Sequence, residues 1–209
     1  MAGFIHSTLI SPRRDPHFAT NNVHGEHAQM RLLWLASSYC KKHRVAVDVG
    51  AHIGVWACEL ARRFKEVWAF EPCRENFDCL RANVREQAHI LNVALGDQER
   101  MCDMALSEGG NSGMWHIIPG DAVEMHTLNS YTLDEVDLLK IDVEGFEDKV
   151  LMGAVETLRL SRPVVVFEGN GIGTKYFGKA WTDPKLLLAS EGYVRAKRVN
   201  KDEIWVPKC

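Results

Sequence analysis

Three stretches of the chain concentrate residues able to do chemistry. DVGAHIG, Asp48 to Gly54, sets an acid ahead of two glycines, with Ala51 and His52 in the turn between them. VWAFEP carries Glu71, and LLKIDVEG supplies Lys140, Asp142 and Glu144, with Glu168 closing the run VVVFE further on. A glycine at position 50 lets backbone approach a ligand where a Cβ would stand. An acid at a strand end can accept hydrogen bonds from hydroxyls or take a proton from one. The set suits a site that holds a hydroxyl-bearing cofactor against a turn and keeps carboxylates beside a reacting group.

The glycine spacing narrows the ligand. A dinucleotide site uses G-x-G-x-x-G, which seats a pyrophosphate over the turn, whereas this turn reads G-x-x-x-G. S-adenosylmethionine has no phosphate and carries an α-amino group, a carboxylate and a sulfonium. An acid ahead of the glycines is useful to it and repels a pyrophosphate, so the Asp48 carboxylate is expected over the turn. Free N–H groups where the next helix starts, near Ile53, are expected to attract an anionic group. Glu71 is read as the acceptor for ribose hydroxyls and Pro72 as fixing the turn after it. Asn92 and Ala94, in HILNVAL, are placed near the adenine. Plainer readings stand beside these: a tight turn without ligand, Asn92 as a turn former, Cys73 as packing, and Lys140 as the structural partner of a carboxylate.

The elements that must position these residues follow from periodicity. Short β-branched runs alternate with helically spaced segments: RVAVDV (44–49), EVWAFE (66–71), HILNVAL (89–95), VDLLKID (136–142) and RPVVVFE (162–168) are strands. Helices fall between them, with one from Gly25 to about His43 ahead of the first, one running to about Arg159 after the fourth, and one over DPKLLLASEG. Continuous apolar strands joined by helices make a parallel sheet covered on both faces. The middle, Gly96 to about Asp134, breaks the alternation around RMCDMAL and predicts an antiparallel excursion that shapes a pocket. GYVRAKRV and EIWVP, joined by a short polar turn, are antiparallel because parallel neighbours need a long crossover. Strand alternation puts Lys140, Asp142 and Glu144 on one side of the sheet's C-terminal edge, where open α/β sheets bind ligands.

Composition excludes other classes. The 209 residues, 46% hydrophobic and 25% charged, fit one soluble domain over 25–209, with residues 1–24 as an arm or lid. A formal net charge of -3 argues against nucleic acid as partner. No apolar run spans a bilayer, no membrane partner is indicated, and the expected location is cytoplasmic. The six cysteines lack metal-ligand spacing and are expected as reduced thiols. His24, Glu26 and His27 are read as solvated rather than metal-binding, and His116 and His126 as surface or turn residues.

DVGAHIG, FEP, NVALGD, TLDEVDLLKIDVEGFEDKVLMGA and PVVVFE, in that order, resemble the FkbM-type methyltransferase family over about residues 45–170. Lys140 to Ala154 is the most specific part. The resemblance implies a Rossmann-like class I methyltransferase fold, α/β, with a seven-stranded mostly parallel sheet, an antiparallel last strand and helices on both faces. It also implies S-adenosylmethionine as cofactor, S-adenosylhomocysteine (SAH) as product, and transfer to an oxygen of a sugar or other small molecule. By matched position, Asp48, Gly50 and Gly54 hold the methionine part and Glu71 the ribose, with Ala51, His52 and Pro72 expected among the cofactor-binding residues. Asn92 and Ala94 border the adenine, and Asp142 lies near the reacting end.

Methyl transfer is an in-line displacement whose rate owes most to alignment. A hydroxyl acceptor must also lose its proton, and Asp142, Glu144 and Glu168 are the candidate bases, with Lys140 orienting them. Three carboxylates also offer Mg²⁺ its preferred oxygens, but the reading without metal is favoured. The rival readings are a cofactor-binding module without activity and, further off, an NAD-dependent oxidoreductase. The sequence leaves the oligomeric state open.

Overall fold

The computed structural model describes residues 9–12, 23–84, 88–107, 112–169, 173–178 and 182–208. Helix α1 (Val23–Tyr39) leads into strand β1 (Val45–Val49), and helix α2 (Val55–Leu60), strand β2 (Glu66–Phe70), helix α3 (Arg74–Asn83) and strand β3 (Ala88–Leu91) follow. Strand β7 (Val136–Ile141) resumes the core, then helices α4 (Glu147–Met152) and α5 (Val155–Leu160) and strand β8 (Val164–Glu168). Helices α6 (Gly173–Phe177) and α7 (Pro184–Ser190) precede strands β9 (Tyr193–Val199) and β10 (Asp202–Pro207).

These strands form one seven-stranded sheet in the order β3-β2-β1-β7-β8-β10-β9. β3, β2, β1, β7 and β8 are parallel, and β10 runs antiparallel to both β8 and β9. The fold class expected from the sequence therefore holds. The reversed strand is an inner one, though, with β9 on the edge. β1 sits centrally, and its five residues are all buried. Val47, Val49, Leu139 and Ile141 pack with Leu151, Leu158 and Leu188 from α4, α5 and α7. Ala46, Leu138 and Val166 pack on the other face with Leu33 and Ala36 of α1 and Trp56 and Leu60 of α2. Both faces are thus covered, the condition a parallel sheet requires.

Three local expectations are corrected. HILNVAL is not one strand: β3 ends at Leu91, and Ala94–Leu95 form β4 in a second sheet, because Asn92 and Val93 turn the chain out of the first. That second sheet, β4-β6-β5, is the predicted excursion, with strands β5 (Arg100–Leu106) and β6 (Trp115–His126) antiparallel. The long helix after β7 is two helices, broken at Gly153, where a Cβ would meet the Gly96 carbonyl oxygen at 1.9 Å. The short helix α6 lay in a stretch to which the sequence reading assigned no element.

Of the proposed arm, Ile10 is tied to Asn83, whose side chain accepts from the Ile10 N–H and donates to its carbonyl, both at 2.7 Å. The His24, Glu26 and His27 side chains lie outside the described residues, as do residues 108–111 of the irregular middle segment. The described cysteines are free thiols. No described helix is long and apolar enough to cross a membrane.

Candidate functional site

β1 and β7 lie side by side, with Asp48 in register with Lys140 and Val49 with Ile141. Both chains turn sharply where they leave the sheet. Gly50 has φ +71, and a Cβ on it would stand 1.9 Å from the Asp142 carbonyl oxygen, so the turns touch backbone to backbone. The Asp142 N–H donates to the Val49 carbonyl at 3.0 Å. Beyond it Glu144 and Gly145 take left-handed φ of 52 and 99. The strand period thus stops at Ile141, and a turn rather than alternation brings Asp142 and Glu144 to one side. That turn is propped from below by Glu147, 2% exposed, whose Oε1 accepts the Gly145 N–H at 3.1 Å.

A pocket opens above these turns. Gly50, His52, Glu71, Pro72, Ala94, Asp142 and Glu144 line it, together with Val49, Phe70, Asn76 and Val93. The β5–β6 hairpin closes one wall with Met104, Ser112, Trp115 and Ile117. Two bonds hold that wall to the rest. Asn76 Nδ2 donates to the Ser112 carbonyl at 2.9 Å, and His52 Nε2 lies 2.7 Å from Ser112 Oγ. Asn76, Ser112 and Trp115 had no place in the sequence reading. For Ser112 and Trp115 the only signal was the irregular middle segment, which marked where a pocket wall would come from but not which residues it would present; Asn76 stands on the helix after β2 and had none.

Several expected contacts fall elsewhere. The Asp48 carboxylate lies beneath the turn, not over it: the residue is fully buried and its Oδ1 is 3.0 Å from Lys140 Nζ. Strand register explains this, since parallel neighbours point their side chains to the same face. Lys140 Nζ also donates to the Gly50 carbonyl at 2.8 Å, tying pair and turn together. The turn's N–H groups are not free. Those of Gly50 and Ala51 both donate to the Phe70 carbonyl at 3.0 Å, and that of His52 to Glu71 Oε2 at 2.8 Å. Helix α2 begins at Val55, two residues beyond the expected Ile53. Gly54 is a packing glycine, because a Cβ there would meet Leu80 and Val84 at 2.9 Å.

Asn92 does not reach the pocket. Its Nδ2 donates to the carbonyls of Glu71 and Pro72 at 2.8 and 3.0 Å, so it buttresses the turn that presents Glu71. Glu168, 4% exposed, stands behind the lining and is ion-paired with Lys201. His116 and His126 lie outside the pocket, beside Ser107 and Tyr131. Cys73 is buried at the start of α3.

The glycine turn, the acid on β2 and the propped turn after β7 meet around this one pocket. Residues 48–194 match the methyltransferase FkbM domain. The chain belongs to the FkbM methyltransferase family. The hexuronic acid methyltransferase AglP of Haloferax volcanii is 26% identical over 194 residues, covering 88% of this chain and 77% of that protein. The solved methyltransferase FkbM of Methylobacillus flagellatus superposes with a TM-score of 0.51 at 18% identity, over 78% of this chain. The chain spans 43% of that protein's length. Magnesium protoporphyrin IX methyltransferase of Synechocystis, solved with bound SAH, gives a TM-score of 0.51 at 12% identity, covering 91% of this chain and 87% of that one. Both structural likenesses concern the fold.

In this FkbM domain the acids at the sheet edge stand close together. Asp142, Glu144 and Glu168 bring one oxygen each within 4.8 Å of one another. Lys201, paired with Glu168, and Lys140, 3.8 Å from Asp142, supply the counter-charge. Burial pushes Glu71 up to about 7 and Glu147 up to about 8. Burial, then the charges of Asp142 and Glu168, brings Glu144 to about 7 and Asp202 to about 6. Burial opposes the charge on Lys140, but Asp48 and Asp142 outweigh it and hold the ammonium above its ordinary value.

The raised acids set a pH dependence. Each binds its proton more tightly folded than unfolded, so stability falls as pH rises from the ordinary carboxylate range through the raised value. The FkbM domain is therefore expected to resist urea better at pH 5.5 than at pH 8.5. Equal or reversed midpoints would show that these acids are ionised at little cost.

Proposed function

We propose that this chain is an S-adenosylmethionine-dependent O-methyltransferase acting on a hydroxyl of a sugar or related small molecule, with residues 25–209 as its methyltransferase domain. The observation that carries the reading is one pocket lined by Gly50, Glu71, Asp142 and Glu144 together. Its residues fit the cofactor. Gly50 lets the turn after β1 close on the Asp142 turn at the edge of the pocket, and Glu71 offers an acceptor at the end of β2. Pro72, Val93 and Ala94 supply an apolar border for a purine. The hexuronic acid named for AglP supports a carbohydrate acceptor.

When bound, the cofactor supplies a methyl group made electrophilic by the sulfonium. The chain's part is to hold, align and deprotonate. The glycine turn and Glu71 fix the cofactor's two ends, and Lys140, bonded to the Gly50 carbonyl, keeps that turn against β7. Asp142 and Glu144 face the same space and can hold the acceptor hydroxyl and take its proton. The hairpin wall, with Met104, Trp115 and Ile117, keeps water from one side.

Titration calorimetry with SAH tests the cofactor, and labelled S-adenosylmethionine with a cell extract, read by mass spectrometry, tests the transfer. Asp142→Asn is expected to abolish methyl transfer while SAH affinity stays within a few-fold. Turnover retained in that variant would remove Asp142 from the mechanism. Tight NADH binding without SAH binding would replace the whole reading.

A further inference from the structure

The turn between β9 and β10 brings a charge to the acid cluster from beyond the family match, which ends at residue 194. Asp202, the first residue of β10, is in register with Glu168, the last of β8. The Gly169 N–H donates to the Lys201 carbonyl at 2.7 Å, which fixes that turn against the end of β8. Lys201 Nζ is ion-paired there with the buried Glu168 carboxylate, although the lysine itself is more than half exposed. The acids at this edge differ in how far they are neutralised. Lys140 on β7 is 3.8 Å from Asp142, and Lys201 holds Glu168. Asp202 adds an acid from β10, and Glu147 lies beneath the turn. Glu144 lines the pocket and has no ion-pair partner among the described residues. Burial and the charges of Asp142 and Glu168 raise its proton affinity, and Lys201 and Lys140 oppose them.

We propose that Lys201 is a positioning residue of methyl transfer: by pairing with Glu168 it keeps Glu144 ionised beside the acceptor, and Glu144 is the carboxylate that takes the proton. The inference rests on the methyltransferase reading and adds to it a choice of base and the residue that tunes it. The acceptor's O–H proton passes to Glu144 as its oxygen bonds to the methyl carbon and the sulfur keeps the electron pair of the broken C–S bond. A base works best when its proton affinity lies near the working pH, and the value of about 7 meets that condition. Asp142, with Lys140 beside it, is left to hold the hydroxyl. Without Lys201, Glu168 would lose its counter-charge in a cluster where the three acids bring oxygens within 4.8 Å of one another. Glu144 would then keep its proton at neutral pH.

Carbon-13 NMR of the carboxyl-labelled full chain reads this titration directly, with the Glu144 signal assigned by its loss in Glu144→Gln. In Lys201→Met the Glu144 midpoint is expected to rise by about one pH unit, the low end for a lost opposite charge because the lysine is exposed to solvent and salt. Lys201→Arg should restore the wild-type midpoint, and Glu168→Gln should lower it. The acidic limb of methyl incorporation from labelled S-adenosylmethionine into a cell extract should move with the midpoint, since only the ionised base accepts a proton. If Lys201→Met unfolds because Glu168 has lost its cation, the comparison is made in the Glu168→Gln background, where removing the lysine should still raise the midpoint. A midpoint unmoved by Lys201→Met, or moved as far by Lys201→Arg, overturns the role of Lys201. A midpoint that moves while the limb stays in place overturns Glu144 as the base. Both outcomes leave the cofactor reading standing, whereas a wild type that binds no SAH overturns that reading as well.

Discussion

Gly50→Ala is expected to eliminate SAH binding and to cost on the order of 3 kcal/mol of stability, from two separable effects. The residue has φ +71, a backbone region that a Cβ disfavours by roughly 1–2 kcal/mol. The new Cβ would also stand 1.9 Å from the Asp142 carbonyl oxygen. That neighbour is backbone, held by the Asp142 N–H on the Val49 carbonyl, so relief requires the two turns to part. Gly178 supplies the control, with φ +55 and nothing within 4 Å of the position its Cβ would take. Gly178→Ala should show the backbone cost alone, about 1 kcal/mol. Urea unfolding of both variants measures the difference, and equal losses would mean that the two turns do not constrain each other.

Lys140→Met is expected to cost about 3–5 kcal/mol, because it strands the fully buried Asp48 carboxylate. Asp48→Asn should cost less. It leaves the ammonium its bond to the Gly50 carbonyl and its approach to Asp142 at 3.8 Å. Combining them should recover part of the loss, so that the double variant falls short of the sum of the singles. Strict additivity would show that the two charges do not depend on each other. SAH affinity measured alongside unfolding then separates the pair's support of the glycine turn from its contribution to the fold.

The alternation of β-branched runs with helical segments was enough to place the parallel strands and the reversed one, because burial on both faces leaves little freedom in such sequences. The place of Glu71 and Asp142 at the sheet edge was legible for a similar reason, since each directly follows the last residue of an apolar strand; Glu144 arrives there by the turn after Ile141, not by the alternation read from the sequence. Asp48 and Lys140 carried the same signal with a different outcome. Register turned them toward each other, and register is a property of two strands that neither sequence states. Asn92 was misplaced because one strand was read through a point where the chain leaves the sheet. Asn76 and Ser112 were illegible, as their partnership spans a helix start and a hairpin that no local pattern connects. Glu147 lay within the most specific segment, but its role depends on a side chain folding back beneath its own turn.

The position of β10 between β8 and β9 has a consequence for the order in which the molecule assembles during synthesis. Strands β3, β2, β1, β7 and β8, with the turns after them that hold Glu71, Asp142 and Glu144, come from residues up to Glu168 and can pair as they emerge. β9 is made next, yet it has no partner of its own until β10 follows, since β10 alone bonds it. Until then the edge of β8 stays open, the kind of unpaired border that recruits foreign strands. The pocket half of the sheet can thus mature ahead of its border. The seal on that border comes last, in a single hairpin whose basic outer strand, with Arg195, Lys197 and Arg198, discourages further pairing.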